Sequence, residues 1–201
     1  MALTLFVMVG ALVVGRLAGG RVAGLTALQL RRPWLAAAAL AILVAGALLA
    51  WATSSRGVYL GASAAAVVTT GIFLLGNRSV PGLPLVGTGL VLNLLAVAAN
   101  GAMPVSRYAA ARAGVSLAGI AAGSDAGHVV AGSGTALRAL GDVIPVPLPV
   151  WPEVVSAGDV LVAAGLGLFV VVAMRRPAEH HGGRHAARLG TVRRRPARQY
   201  R

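Results

Sequence analysis

Three side chains with acid–base or ligating chemistry, His128, Asp142 and Asp159, lie in one stretch of a 201-residue chain that has only five acidic residues in all. Two carboxylates and an imidazole are sufficient to hold a proton or to ligate a divalent ion. No H-x-x-x-H or H-E-x-x-H spacing accompanies them, so no metal site is expected. Asp142, Glu153 and Asp159 all fall in "LGDVIPVPLPVWPEVVSAGD", residues 140–159, together with four of the ten prolines. Each acid also has a local reading. Ser156 to Asp159 has the form S-x-x-D ahead of an apolar run, which predicts a cap on a helix N-terminus, with Asp159 in the first turn where the helix dipole favours an anion. Asp142 follows Leu140 and Gly141 and is expected to pair with Arg138 or Arg107 or to cap the next turn, and Glu153 reads as a solvated charge beside Trp151. The competing reading gathers Asp142, Asp159 and His128 into a proton or metal site, with Asn93, Asn100 and Met103 as the remaining candidates. No catalytic set, cofactor site or thiol chemistry is expected: there is no cysteine, and no Ser/His/Asp arrangement or phosphate loop is present.

The elements that must position these residues are written in the composition. Apolar residues make up 57% of the chain, charged residues 11%, and the mean hydropathy is +0.80, far from soluble averages. Five apolar runs, near 2–17, 34–52, 58–75, 83–99 and 157–174, are expected to cross a hydrocarbon core of about 30 Å as helices. They lack two-residue alternation, and in lipid every backbone group must be satisfied within the segment. The first run has no basic residue ahead of it and is read as a retained span. The fold class is therefore an all-α polytopic helical membrane protein, with a transmembrane region over 1–174, a long outer loop at 100–156, and a basic tail at 175–201 expected to be disordered.

The net charge of +13 comes from eighteen arginines, since lysine is absent. Basic residues in short loops stay on the cytoplasmic side. With the N-terminus outside, fourteen arginines fall inside, and only Arg56, Arg107, Arg112 and Arg138 fall outside. Residues 16–33 place Val22, Leu25 and Leu28 on one side of a helix that lies flat at the headgroups. Arg175, Arg176, Arg193, Arg194 and Arg195 are expected to meet anionic lipids of the inner leaflet, and nucleic acid is not an expected partner. Asn93 is read as an interhelical hydrogen bond near mid-membrane, against a rival role lining a substrate path. In the outer loop, "SRYAAARAGVSLAGIAAG" predicts a short surface helix and "GSDAGHVVAGSG" a flexible turn. "TALRALGD" resumes a helical period, and "VIPVPLPVW" is extended because its prolines remove donors.

On "GRLAGG", "LQLRRPWL", "NGAMPVS", His128, "TALRALGDVIPVPLP" and "SAGDVLVAAG", the chain resembles the bacterial multi-pass membrane family known as domain of unknown function 5317 (DUF5317), over roughly residues 10–170. The N-G-x-M-P, L-G-D and S-x-G-D patterns of that family map to Asn100, Gly101, Met103, Pro104, Leu140, Gly141, Asp142, Ser156, Gly158 and Asp159. Ala102 departs from the larger or basic residue common there, which argues against anion binding at that position. The resemblance implies the architecture and no reaction. The expected function is that of a non-enzymatic structural or accessory component of the bacterial cell envelope, in the cytoplasmic membrane, with a membrane protein as partner. The alternative is a small-solute carrier or membrane-embedded enzyme with an outer-face site at Asp142, Asp159 and His128.

Overall fold

The computed structural model describes residues 2–26, 28–53 and 55–176. The tail that carries Arg193, Arg194 and Arg195 lies outside the described residues. In chain order the elements are α1 (Ala2–Leu17), α2 (Ala23–Thr26), α3 (Trp34–Thr53), α4 (Arg56–Gly76), α5 (Leu83–Asn100), β1 (Met103–Val105), α6 (Arg107–Ala113), α7 (Ala118–Ala121), β2 (His128–Val130), β3 (Ile144–Val146), β4 (Glu153–Val155) and α8 (Ala157–Met174). The protein is mostly helical. Three helical segments, Gly57–Gly76, Leu83–Asn100 and Ala157–Met174, are long and apolar enough to cross a membrane, and Ala2–Leu17 and Trp34–Ala50 are shorter apolar stretches. Their outward surfaces are greasy: Phe6 is 69% exposed and Leu75 72%. Exposed apolar surface on this scale belongs against lipid or protein rather than water.

α8 is the central post. It packs against α1 on one side and α5 on the other, while α3 and α4 form a separate antiparallel pair. Small residues set the α5–α8 approach, since a Cβ on Gly158 would collide with Asn93 and the Gly89 carbonyl, so the two backbones run in direct contact. Gly89 makes such a contact from the α5 side, whereas Gly61 of α4 faces open space. One core cluster, Leu35, Phe73, Leu74, Leu83 and Val86, joins the α3–α4 pair to α5; another, Ala11, Val170 and Met174, joins α1 to α8.

One end of the bundle, here the arginine end, holds the connector from α1 to α3 and the turn from α4 to α5. Asn77 ties these together: its Oδ1 accepts from the Arg31 amide at 2.8 Å, and its Nδ2 donates to the carbonyls of Arg31 at 2.9 Å and Phe73 at 2.8 Å. The connector is not the continuous flat helix expected from its sequence. Among its described residues only 23–26 are helical; Leu25 packs into the core, whereas Val22 is exposed, because the Arg21 amide bonds the Met174 carbonyl at 2.8 Å and turns the chain across the end of α8.

The other end, the cap end, corrects the all-α expectation. Residues 101–156 build two small ribbons: β1 pairs in parallel with β2 (Met103↔His128), and β3 pairs antiparallel with β4 (Ile144↔Val155). The predicted flexible turn is thus partly a strand, the surface helix divides into α6 and α7, and "TALRALGD" holds a single 3-10 turn at Arg138–Leu140. Three-residue strands are too short to display a period of two, and long-range pairing fixes them. A parallel pair needs a crossover, which α6 and α7 supply.

Candidate functional site

The cap is pinned to the helices by the first turn of α8. Ser156 accepts from the Asp159 amide at 2.9 Å and the Asp159 carboxylate accepts from the Ser156 amide at 3.0 Å, so the predicted cap is a reciprocal box. Asn93 closes a ring with it, donating from Nδ2 to Asp159 Oδ1 at 2.7 Å and accepting from Ser156 Oγ at 2.7 Å. Asn93 therefore makes the interhelical bond expected of it. It does so near the middle of α5, against the first turn of α8.

Asn100 and Met103 have structural positions. The Asn100 side chain grips the backbone of Ala136, donating to its carbonyl at 3.0 Å and accepting from its amide at 2.9 Å, while Gly101 ends α5 in the left-handed region at φ 75°. Met103 is buried in β1, where its amide donates to the Gly127 carbonyl at 2.9 Å; Tyr108 of α6 is exposed and carries Arg112 over its ring. β1 is also the platform for Asp142, which bridges Val105: the Asp142 amide donates to the Pro104 carbonyl and the Ser106 amide to the Asp142 carbonyl, both at 2.9 Å. Gly141 is required at this crossing, because a Cβ there would meet Pro104.

β1 thus carries His128 on one flank and Asp142 on the other. His128 Nδ1 lies 2.9 Å from Asp125 Oδ2, whose other oxygen accepts from the Gly127 amide at 2.9 Å. That carboxylate fixes the ring and turns Nε2 toward Asp142 Oδ2, 3.8 Å away. The expected pairing of Asp142 with Arg138 or Arg107 is not formed: Arg138 donates to the Gly132 carbonyl, and the ion-pair neighbour of Asp142 is His128. Asp125 was the missed partner, and its D-x-x-H spacing to His128 was the available signal. Asp142 is only 5% exposed, and its Oδ1 is buried without a hydrogen-bond partner among the described residues. Burial pushes its carboxyl up to about 7 from an ordinary 3.8; Asp159 adds to the rise and His128 opposes it.

Glu153, expected to be solvated, instead accepts from the amides of Ala2 and Leu3 and caps the start of α1. Burial acts to raise its carboxyl, but the donors and positive charge at the start of the chain outweigh it and hold the group below its usual range.

These groups share one cavity of about 690 Å³ among α1, α5, α8, β4 and His128 of β2. Asn93, His128, Asp142, Glu153 and Asp159 form its polar end; Leu3, Leu5, Met8, Leu90, Val155 and Val162 form its apolar walls. A second cavity of about 350 Å³, under α7 and reaching Asp125, lies on the other side of His128, Asp142, Glu153 and Val154, which line both. Another groove, of about 490 Å³ between α4 and α5, is almost wholly apolar and holds none of the carboxylates. Among the described residues no three of His, Cys, Asp or Glu converge as a set that could hold a metal ion. The arrangement can bind a proton or a single positive charge.

A family of unknown function, DUF5317, matches residues 27–171. The chain belongs to this family. The DUF5317 match contains the whole cap, α5 and most of α8, and it begins after "GRLAGG", so α1, one wall of the cavity, precedes the matched residues. Within it, Asn100 to Ser106, Leu140 to Asp142 and Ser156 to Asp159, distant in sequence, build the β1 platform, the buried carboxylate and the box beneath it. No curated protein and no solved structure matches the chain.

Proposed function

We propose that this DUF5317 protein is a non-enzymatic, multi-pass protein of the bacterial cytoplasmic membrane whose cap-end cavity binds a small solute. It crosses five times, with the N-terminus outside and the C-terminus in the cytoplasm. Asp142 carries the binding reading: a buried carboxylate with one unpartnered oxygen, at the polar end of an apolar-walled cavity. A native fold retains such a group where something other than folding uses it. Supporting the five crossings, α1 and α3 present apolar surfaces as open as that of α4, with Phe6, Leu40 and Val68 all outward. Supporting the orientation, Arg16, Arg21, Arg31, Arg32, Arg78, Arg175 and Arg176 all belong to the end away from the cap. The partners are then the bilayer and, at Arg175, Arg176 and the tail, anionic lipids.

The accessory-subunit reading keeps one observation in its favour: Asp159 and Glu153 both cap helices, a use that folding alone explains. Alanine substitution of Asp142 separates the two, since loss of solute binding at normal abundance marks a site and loss of protein marks a prop. A reporter after Tyr200 is expected in the cytoplasm and one inserted near Gly132 outside; the reverse pattern overturns the orientation. For the cavity itself, the full chain in lipid nanodiscs is screened by thermal unfolding against small neutral, anionic and cationic solutes. At least one must raise the midpoint saturably, and Leu5→Trp, which fills the wall from an exposed position, must remove that rise. If none does, the solute-binding reading is lost.

A further inference from the structure

We propose that the ligand of this cavity is a primary organic ammonium ion with a short aliphatic tail, its head on Asp142 and its tail along α1 and α5. The inference rests on the solute-binding reading above and names the class of solute. Three features select it. First is charge: in a chain with a formal charge of +13, the cavity is lined, among the described residues, by three carboxylates and one imidazole and by no arginine. Anions would enter against Asp142, Glu153 and Asp159 together, with burial strengthening the repulsion.

The second is the number of oxygens left over. Glu153 is occupied by the amides of α1, and Asp159 by Ser156 and Asn93, so among the described carboxylates of the cavity Asp142 is the one left to a ligand: its Oδ1 has no partner and its Oδ2 has only His128 Nε2, at 3.8 Å. A single carboxylate is too few for a divalent metal, which needs several anionic or carbonyl ligands at once. It suits a single N–H donor carrying a charge, and a charge-assisted bond of that kind is about twice as strong as a neutral one. A quaternary ammonium has no N–H to give and would leave Oδ1 unsatisfied.

The third is the wall. Leu5, Met8, Leu90 and Val162 bound the rest of the space, so a bare inorganic cation would leave apolar surface uncovered, whereas an alkyl tail of a few carbons covers it. Each buried methylene contributes about 0.8 kcal/mol. His128 and Asp142 line both the 350 Å³ cavity and the larger one, so Asp142 stands between the two. Asp142 must be ionised to hold the ammonium head, and the charges around it are Asp159 on α8, His128 on β2, Glu153 on β4 and the positive start of the chain beside α1.

The test titrates the full-length protein in nanodiscs of neutral phospholipid with n-butylammonium, methylammonium, tetramethylammonium, n-butanol and butyrate, read by calorimetry and thermal shift. Butylammonium is expected to bind saturably, more tightly than methylammonium or tetramethylammonium, and at least tenfold more weakly after Asp142→Asn. Its affinity is expected to rise about tenfold between pH 6 and pH 8 as Asp142 ionises. Asp142→Asn is isosteric, and its own unfolding midpoint reports whether it folds; should it not, Leu5→Trp supplies the second arm by weakening butylammonium while sparing Asp142. If butanol or butyrate binds as well as butylammonium and is indifferent to pH, the cation assignment is overturned while the cavity stands as a solute site. Absence of saturable binding by all five overturns the ammonium assignment, whereas the solute reading falls only with the wider screen above.

Discussion

Asn77 at the arginine end and Asp142 at the cap end are buried almost equally, at 2% and 5% exposure, yet one is fully bonded and the other is not. Asn77 spends its carbonyl and both amide hydrogens on backbone groups, which locks two turns together. Asp142 has an oxygen with no partner and a carboxyl displaced to about 7. Equal burial with opposite satisfaction separates a polar group kept for folding from one kept despite it. The arginine end is closed and the cap end is poised.

The contrast makes four measurements decisive, taken from the largest effect down. Asn77→Ala strands the Arg31 amide and carbonyl and is expected to cost about 2–4 kcal/mol of unfolding free energy in mixed micelles. A comparable cost from Asp142→Asn would erase the distinction between the two ends. Next is pH. The folded Asp142 carboxyl sits above its unfolded value, so its contribution is fully present below about pH 4 and is lost as pH rises through about 7. Between pH 6 and pH 8 the wild type should lose ~1.4 kcal/mol relative to Asp142→Asn. Equal slopes for the two proteins would show that the carboxyl does not titrate there.

A smaller loss, about 0.6–2 kcal/mol, is expected for Asn93→Ala, which opens the ring with Ser156 and Asp159 but leaves the capping box itself closed. A much larger loss would mean that the cap is held chiefly by this one side chain. Smallest is the pair Arg175→Gln and Arg176→Gln together: stability changes by less than about 0.5 kcal/mol, whereas attraction to anionic vesicles falls by about 1 kcal/mol per charge. Unchanged vesicle binding would remove these two arginines from the lipid contact.

Much of the helical frame was legible in the sequence. The apolar runs are long, the S-x-x-D box announces the start of α8, and Asn100-Gly101 marks the end of α5, because each is a local signal within a few residues. The cap was not legible, for a physical reason. Its strands are three residues long, and their partners lie far along the chain, so Val105 meets both Val130 and Asp142 only after folding. Asn77 looked like an ordinary turn residue, since nothing near it in sequence names Arg31. Glu153 looked solvated for the same reason: its donors lie at the other end of the chain. His128, Asp142 and Asp159 could be suspected of meeting, but Asp125, which orients the imidazole, was passed over as turn chemistry.

The meeting of Gly158 with Gly89, and of Gly165 with Gly82, sets α5 and α8 out of step along their length. Residues 91–100 of α5 run on past the start of α8 by about 15 Å, and the two helices share only about 12 Å of insulating depth. A hydrocarbon layer is about 30 Å thick. On the proposed topology, lipid around this stagger would thin, and a charge bound at the carboxylates beneath the cap would sense part of the membrane voltage, worth up to about 2.3 kcal/mol per 100 mV for a full crossing.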